Sequence, residues 1–409
     1  AHLYTIDATR RMTLAALDAG ERPAVPAAIV KYHVTELARG IANDAMDIHG
    51  GKGIMLGPGN YLARGWQSSP IAITVEGANI MTRSLMIFGQ GAIRAHPFIF
   101  AEMQAAQEEN RARGLKAFDR LFFRHLGFLL GNAARATLLA TTGGRLARAV
   151  PADSAFAGRY RMLSRYSAAF ALVADAAMLT LGGALKRRER LSARLGDLLS
   201  FLYMGSAVLK RHAENGEPES DRPVIEYALD ELEYRFEAAL DGILANFPKR
   251  VLGVLLRGIV LPFGRRRERR GDALASRVAA LVTTPGESRA RLTAGIYTGG
   301  DGPVGAMAEA LSLALWAEPL EKRMAAAVHA GTLEPEPGGD EASLAQAATK
   351  TGLLSREEAE RLVRYYELVA GIVAVDDFDP TELAAAPLSP SENDRMNAWR
   401  KEGESSSSR

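Results

Sequence analysis

MDIHGGKGI, Met46–Ile54, closes a run of helical periodicity and opens a glycine-dense loop, and the fold is read outward from that junction. Upstream, the apolar residues Ile29, Val34, Leu37, Ile41 and Met46 recur at helical spacing, and Pro26 stands where a first-turn proline starts a helix. Before it, Leu3, Ile6, Leu14 and Leu17 predict another helix, with Ala15, Ala16 and Ala19 filling in before Gly20 and Pro23 stop it. These two segments pair as a helical hairpin. Downstream, Gly50, Gly51, Gly53, Gly57 and Gly59 crowd together as only tight turns or close backbone approach require. Pro70 then leads a short apolar run through Ile71, Ile73 and Val75 to Glu76 and Gly77, and a further helix starts near Asn79 and ends by Gly91.

The same helical spacing continues through the chain. It predicts helices over Met103–Gln107, Leu115–Leu130, Arg159–Thr180, Arg190–Glu214, Val224–Phe247, Ala273–Val282, Ala306–Ala330 and Arg356–Val373. Alanine is abundant, aromatic residues are sparse, and alternating strand patterns are hard to find, so the fold class is all-α. A length of 409 residues predicts two or three domains. Lys plus Arg number 50 against 48 Asp plus Glu, so no global field favours nucleic acid, and none is expected as a partner. Zero cysteines exclude disulfides and thiolate chemistry. The 7 histidines show no metal-ligand spacing, so no metal is expected. No signal-peptide pattern opens the chain and no uninterrupted apolar run approaches the ~20 residues of a membrane span, so the expectation is a soluble or peripheral protein, in the cytoplasm or at the inner membrane. The helical pattern already running by Leu3 suggests a piece of a larger protein.

The stretch Met46–Ile54 together with ITVEGAN, Ile73–Asn79, resembles the C-terminal helical domain of acyl-CoA dehydrogenases. In that family a Gly-Gly-x-Gly loop follows the domain's second helix, and a Glu-Gly pair comes about two dozen residues later, as Gly50-Gly51-Lys52-Gly53 and Glu76-Gly77 do here. KYH (Lys31–His33), YLARG (Tyr61–Gly65) and MIFGQGAIRAHP (Met86–Pro97) make the chain similar to the long bacterial fatty-acyl-CoA dehydrogenases with an extra C-terminal domain. The resemblance implies three segments. Residues 1–96 would be the four-helix-bundle C-terminal domain, 97–375 an additional helical domain, and 376–409 a partly disordered tail.

The chemistry implied is FAD-dependent α,β-dehydrogenation of fatty acyl-CoA of medium to long chain, the first step of fatty acid β-oxidation. Glu76 would take the α proton. That proton must first be acidified by hydrogen bonds to the thioester carbonyl, which the family supplies from the glutamate's own backbone N–H and a flavin hydroxyl. An apolar channel would desolvate the carboxylate and raise its pKa. Gly77 would let the substrate thioester pass close to the backbone. Gly50, Gly51 and Gly53 would meet the FAD of a neighbouring subunit, implying a homo-oligomer, dimer or tetramer, and an electron-transfer flavoprotein would be the acceptor.

Two cofactor-facing positions depart from the family pattern. Asp47 stands where Gln is frequent, and a carboxylate facing a pyrophosphate repels it; Asp47 turns away, or pairs with a base such as Lys52, or the intersubunit contact is altered. Ala78 replaces a common Thr, removing a hydroxyl contact to flavin for which Asn79 is the substitute. Trp66, Arg64 and His49 read as a packing anchor, a solvated or paired charge and a surface or capping group.

Residues 98–375 present no catalytic constellation. Within them Ala169–Glu214 is faintly similar to the C-terminal extension of very-long-chain acyl-CoA dehydrogenases. Arg250–Arg270 joins the apolar VLGVLLRGIVLPFG to RRRERR, the composition either of a buried helix followed by a solvated basic loop or of a peripheral element at the inner membrane. Leu121–Leu130 could join a core or that surface. The alternative to an enzyme is a non-catalytic helical assembly or membrane-docking module.

Overall fold

The computed structural model describes residues 1–55, 57, 59–91, 96–148, 151–266, 271–299 and 302–379. Among them no strand occurs, and the chain is all-α. α1 (His2–Asp18) and α2 (Ala24–His49) form the expected hairpin across Gly20, whose φ of +82° suits glycine. The buried face of α1 carries Thr5, Thr9 and Thr13 between Tyr4 and Ala8. Each threonine hydroxyl donates to the carbonyl four residues earlier, so these three hydroxyls lie in the interior with their donors satisfied.

α2 stops where glycine allows it. Gly50 has a φ of +55° and donates its N–H to Met46 and Asp47 carbonyls. The loop then contains one helical turn, α3 (Gly51–Ile54), and a helix not predicted from the sequence, α4 (Ala63–Thr74), with Pro70 inside it. Asn60 builds that start: its Oδ1 accepts from the N–H groups of Leu62 (2.8 Å) and Ala63 (2.7 Å), and its Nδ2 donates to the carbonyls of Lys52 and Gly53. α5 (Asn79–Met81) continues directly into a π-helical stretch, Thr82–Gln90.

The remaining helices are α6 (Ile99–Ala106), α7 (Arg111–Thr141), α8 (Ala157–Leu181), α9 (Glu189–Glu214), α10 (Arg222–Ala245), α11 (Arg250–Val260), α12 (Asp272–Thr283), α13 (Glu287–Thr293), α14 (Pro303–His329), α15 (Glu341–Lys350) and α16 (Arg356–Val373). The main core runs along α8, α9 and α10, where Val173, Leu195, Leu198, Val208, Ile225 and Ile243 are fully buried. Tyr166 stacks on Phe236 with ring centroids 4.3 Å apart, and its hydroxyl donates to buried Glu237. Tyr4, Ile29, Ile87 and Phe88 join this same cluster, so the proposed boundary at residue 96 crosses a continuous apolar interior. A second, smaller cluster holds α14, α15 and α16 around Ala317, Met324 and Leu362.

The π-helical stretch fastens the Glu76 segment to the core. Arg83 grips Asp197 of α9 through two hydrogen bonds of 2.9 and 2.6 Å. Gly196 beside it admits the approach, since a Cβ there would lie 3.3 Å from the Arg83 carbonyl oxygen. α8 with the turn through Arg187 is long and apolar enough to cross a membrane, but half of its most apolar 18-residue window is buried inside the chain, as in a core helix. Of the expected tail only residues 376–379 are described; its remainder and most of the RRRERR cluster lie outside the described residues.

Candidate functional site

Glu76 and Gly77 are the two residues at which the backbone turns left-handed between α4 and α5, with φ of +54° and +89°. The value is ordinary for Gly77. For a glutamate it is an outlier that surrounding structure must hold in place. Two anchors hold it. Thr82 donates its hydroxyl to the Gly77 carbonyl oxygen at 3.2 Å, and Asn79 ties the head of α5 to α2. The Asn79 amide donates to the Thr35 hydroxyl and the Glu36 carboxylate, 2.9 Å each, and its oxygen accepts from Lys31 at 2.6 Å. With Asn79 only 3% exposed and its amide engaged on both sides, it anchors the turn and leaves no donor for a flavin, contrary to the substitute role expected of it.

Glu76 itself is exposed, and among the described residues no hydrogen bond or ion pair ties its carboxylate. The dry channel expected around it is therefore not built by the described residues. The flanking surface is nevertheless apolar: Ile71, Val75, Ile80 and Met81 are 60%, 48%, 77% and 48% exposed. Gly77 and Ala78 are half-buried.

In the glycine loop the three positions differ. Gly50 is required by its positive φ, and Gly53 by crowding, since a Cβ there would lie 3.1 Å from the Met46 carbonyl oxygen. Gly51 is exposed with open space where a Cβ would stand, which leaves its backbone accessible. Asp47 is exposed, and among the described residues no ion pair joins it to Lys52, whose ammonium donates instead to the Ile372 carbonyl. His49 bonds the Ala45 carbonyl and the Tyr61 hydroxyl, and the half-exposed Trp66 donates its indole N–H to Asn43 at 2.7 Å.

Residues 93–378 match the family model described as acyl-CoA dehydrogenase, C-terminal, bacterial type, and residues 2–88 match that of the acyl-CoA dehydrogenase C-terminal domain. The chain belongs to the acyl-CoA dehydrogenase family. A solved structure similar to it is an acyl-CoA dehydrogenase complexed with FAD from Bacillus anthracis, at 17% identity and a TM-score of 0.43, covering 63% of this chain and 39% of that one. The chain thus spans about two fifths of the length of that enzyme.

For an acyl-CoA dehydrogenase chain, the fit to a flavin can be tested on the residues present. An accessible glycine backbone at Gly50 and Gly51 suits an edge contact with a large planar or phosphate-bearing group, whereas the exposed Asp47 carboxylate opposes a pyrophosphate alongside it. A cleft of about 510 Å³ near the loop is lined by Lys52, Tyr61, Met307 and Arg364, away from Glu76.

The electrostatics beneath the site were partly hidden from sequence reading. His33, named there only as part of a motif, is 6% exposed between Tyr32 and Phe201, and burial, with Arg235 and Arg83 nearby, pushes its imidazole down to about 3. Burial alone would raise the Asp7 carboxyl of α1, but the hydrogen bond from Arg10 and the charges of Arg211 and Arg11 outweigh it and hold the group below the usual range. Sequence spacing also missed one constellation altogether. His96, His125 and Asp175 bring their ligand atoms within 4.8 Å of one another. The three lie on different elements far apart in sequence, and no local pattern could have found them.

Proposed function

We propose that this chain carries the proton-abstracting residue of a FAD-dependent acyl-CoA dehydrogenase that converts fatty acyl-CoA to trans-2-enoyl-CoA, with Glu76 as the base. The observation that supports it most is the strained Glu76, φ +54°, without a partner among the described residues and flanked by exposed Val75, Ile80 and Met81. Strain at a polar residue persists where function needs its direction. Large apolar side chains around an exposed carboxylate are a surface that other parts of an enzyme would cover, and covering it would dry the base.

In this reading the Glu76 carboxylate takes the α proton of the acyl thioester and becomes a carboxylic acid, while its backbone N–H donates to the thioester carbonyl oxygen as charge builds there. FAD, when bound, supplies the acceptor for the β hydride. Gly77 leaves room for the thioester beside the backbone. Gly50, Gly51 and Gly53 present the loop to the flavin of a neighbouring subunit, Ala78 borders the same cofactor, and Asp47 faces outward past it. The proposal extends to a homo-oligomer, an electron-transfer flavoprotein as acceptor and a cytoplasmic setting. In the flavin-loaded enzyme, Glu76→Gln should abolish steady-state oxidation of fatty acyl-CoA with FAD still bound; retained turnover contradicts the assignment.

A second reading has its own observation. α11 leaves Val251, Val254 and Leu255 exposed by 75%, 64% and 60%, with Phe263 exposed beyond its end and Arg265 and Arg266 following. Its other face, Gly253, Leu256 and Val260, is buried, so the helix seats one side on the core and leaves the other exposed. We propose that this face makes a peripheral contact with an anionic membrane. Pelleting with anionic liposomes at low salt and release at high salt is expected, and binding that ignores salt counts against it.

A further inference from the structure

Four ionisable side chains meet where α6, α7 and α8 converge. His96 Nε2 lies 2.7 Å from Asp175 Oδ1, His125 Nε2 lies 3.9 Å from the same oxygen, and His125 Nδ1 lies 2.9 Å from Glu102 Oε1. The cluster is interior: His125 is 5% and Asp175 2% exposed. An ionised Glu102 can only accept, so its contact with His125 puts the ring proton on Nδ1 and leaves Nε2 as a lone pair. Among the described residues, that Nε2 and Asp175 Oδ2 are both buried without a hydrogen-bond partner. Two orphaned acceptors facing one cluster, beside two carboxylates, call for a positively charged occupant.

We propose that His96 Nε2, His125 Nε2 and Asp175 bind a divalent transition-metal ion of the zinc type, with Glu102 orienting His125 from behind. Such ions take imidazole nitrogen and carboxylate oxygen at about 2.0–2.2 Å. A carboxylate on the far nitrogen of a ligand histidine fixes its tautomer and direction, which is the Glu102–His125 arrangement. The ion's two positive charges offset the two carboxylates, and its ligands would pin α6, α7 and α8 together.

His96 adds a cost that makes the proposal sharper. The N–H groups of Phe98 and Ile99 both point at its Nδ1, at 3.2 Å, so without an ion the ring proton sits on Nε2 and is given to Asp175. Metal uptake moves that proton to Nδ1 and frees the two amides, which stand at the head of α6. Binding is therefore coupled to the first turn of α6. The ion's route in is a cleft of about 410 Å³ lined by Phe88, Ile99, Glu102, Met103, His125 and Lys186.

The test is to strip the chain with a chelator and titrate it with Zn²⁺ alone against a chromophoric competitor, and separately with Co²⁺. One ion per chain is expected, with visible Co²⁺ absorption and a raised thermal midpoint at saturating Zn²⁺. His125→Gln and Asp175→Asn should each lose the stoichiometric ion, and Glu102→Gln should weaken it roughly tenfold or more. Circular dichroism shows which variants fold; if Asp175→Asn does not, His96→Ala, at the edge of the cluster, gives the same reading. A wild-type chain that takes up no Zn²⁺ at one equivalent, or variants that bind it as the wild type does, overturns the proposal.

Discussion

Residues 46–81 and the α8–α10 core are opposites in how they carry information. The first stretch holds the recognisable motifs and is thinly enclosed: Glu76 is exposed, as are Ile48, Ile54 and Ile80, at 83%, 72% and 77%. The second has no motif, yet Leu195, Leu198, Val208 and Ile225 are shut off from solvent completely. Chemistry restricts residue type and spacing, which makes a site legible in sequence even where the chain does not enclose it. Packing restricts only size and period, so it builds most of the stability from interchangeable apolar residues. Stability and reactivity should therefore separate when each region is changed.

The largest loss should follow Leu195→Ala. A cavity in the centre of the core is expected to cost about 2–5 kcal/mol in denaturant unfolding. A cost below that range would mean the core is looser than its burial implies. Acid comes next. Because burial depresses the His33 imidazole to about 3 in the folded chain, while the unfolded chain binds its proton near the ordinary 6.5, the native state is favoured above that range. Its contribution should fall away as pH drops from about 6.5 toward 3, by on the order of a few kcal/mol. Unfolding curves across that window should be flatter for His33→Phe than for the wild type; equal slopes would locate the acid sensitivity elsewhere.

A smaller effect tests the second cluster. Ser355 heads α16 in a reciprocal capping arrangement, accepting from the Glu358 N–H at 3.1 Å while Glu358 accepts from the Ser355 N–H at 2.7 Å. Ser355→Ala should cost about 1 kcal/mol. The smallest change in stability belongs to the exposed region: Ile80→Ser should stay within about 0.5 kcal/mol of wild type. In the assembled enzyme the same substitution should lower flavin retention, and a variant with full flavin content would remove the reason for calling that surface a covered one.

How much could be read in advance follows from the same contrast. Long periodic helices were legible from Leu and Ala spacing alone, and Arg356–Val373 is found at the predicted span. α4 was obscured because Pro70 interrupts it and its cap, Asn60, lies in a turn-rich stretch. α15 is short and alanine-rich, with a weak apolar stripe. Its signal was Asp340, which accepts the Ser343 N–H at 2.9 Å just past Gly338 and Gly339. Glu76 stands out in the sequence only through its distance from the glycine loop, since a lone glutamate before a helix says little. The His96, His125 and Asp175 cluster was not legible at all, because tertiary contact alone brings those residues together.

Whether the exposed carboxylate at residue 76 becomes the base of the enzyme is best settled by one anaerobic turnover of the flavin-loaded protein with fatty acyl-CoA, wild type against Glu76→Gln. Bleaching of the flavin band should slow by about 10²–10⁴-fold in the variant while its oxidised spectrum before mixing is unchanged. Equal bleaching rates in the two proteins would mean that another group takes the α proton.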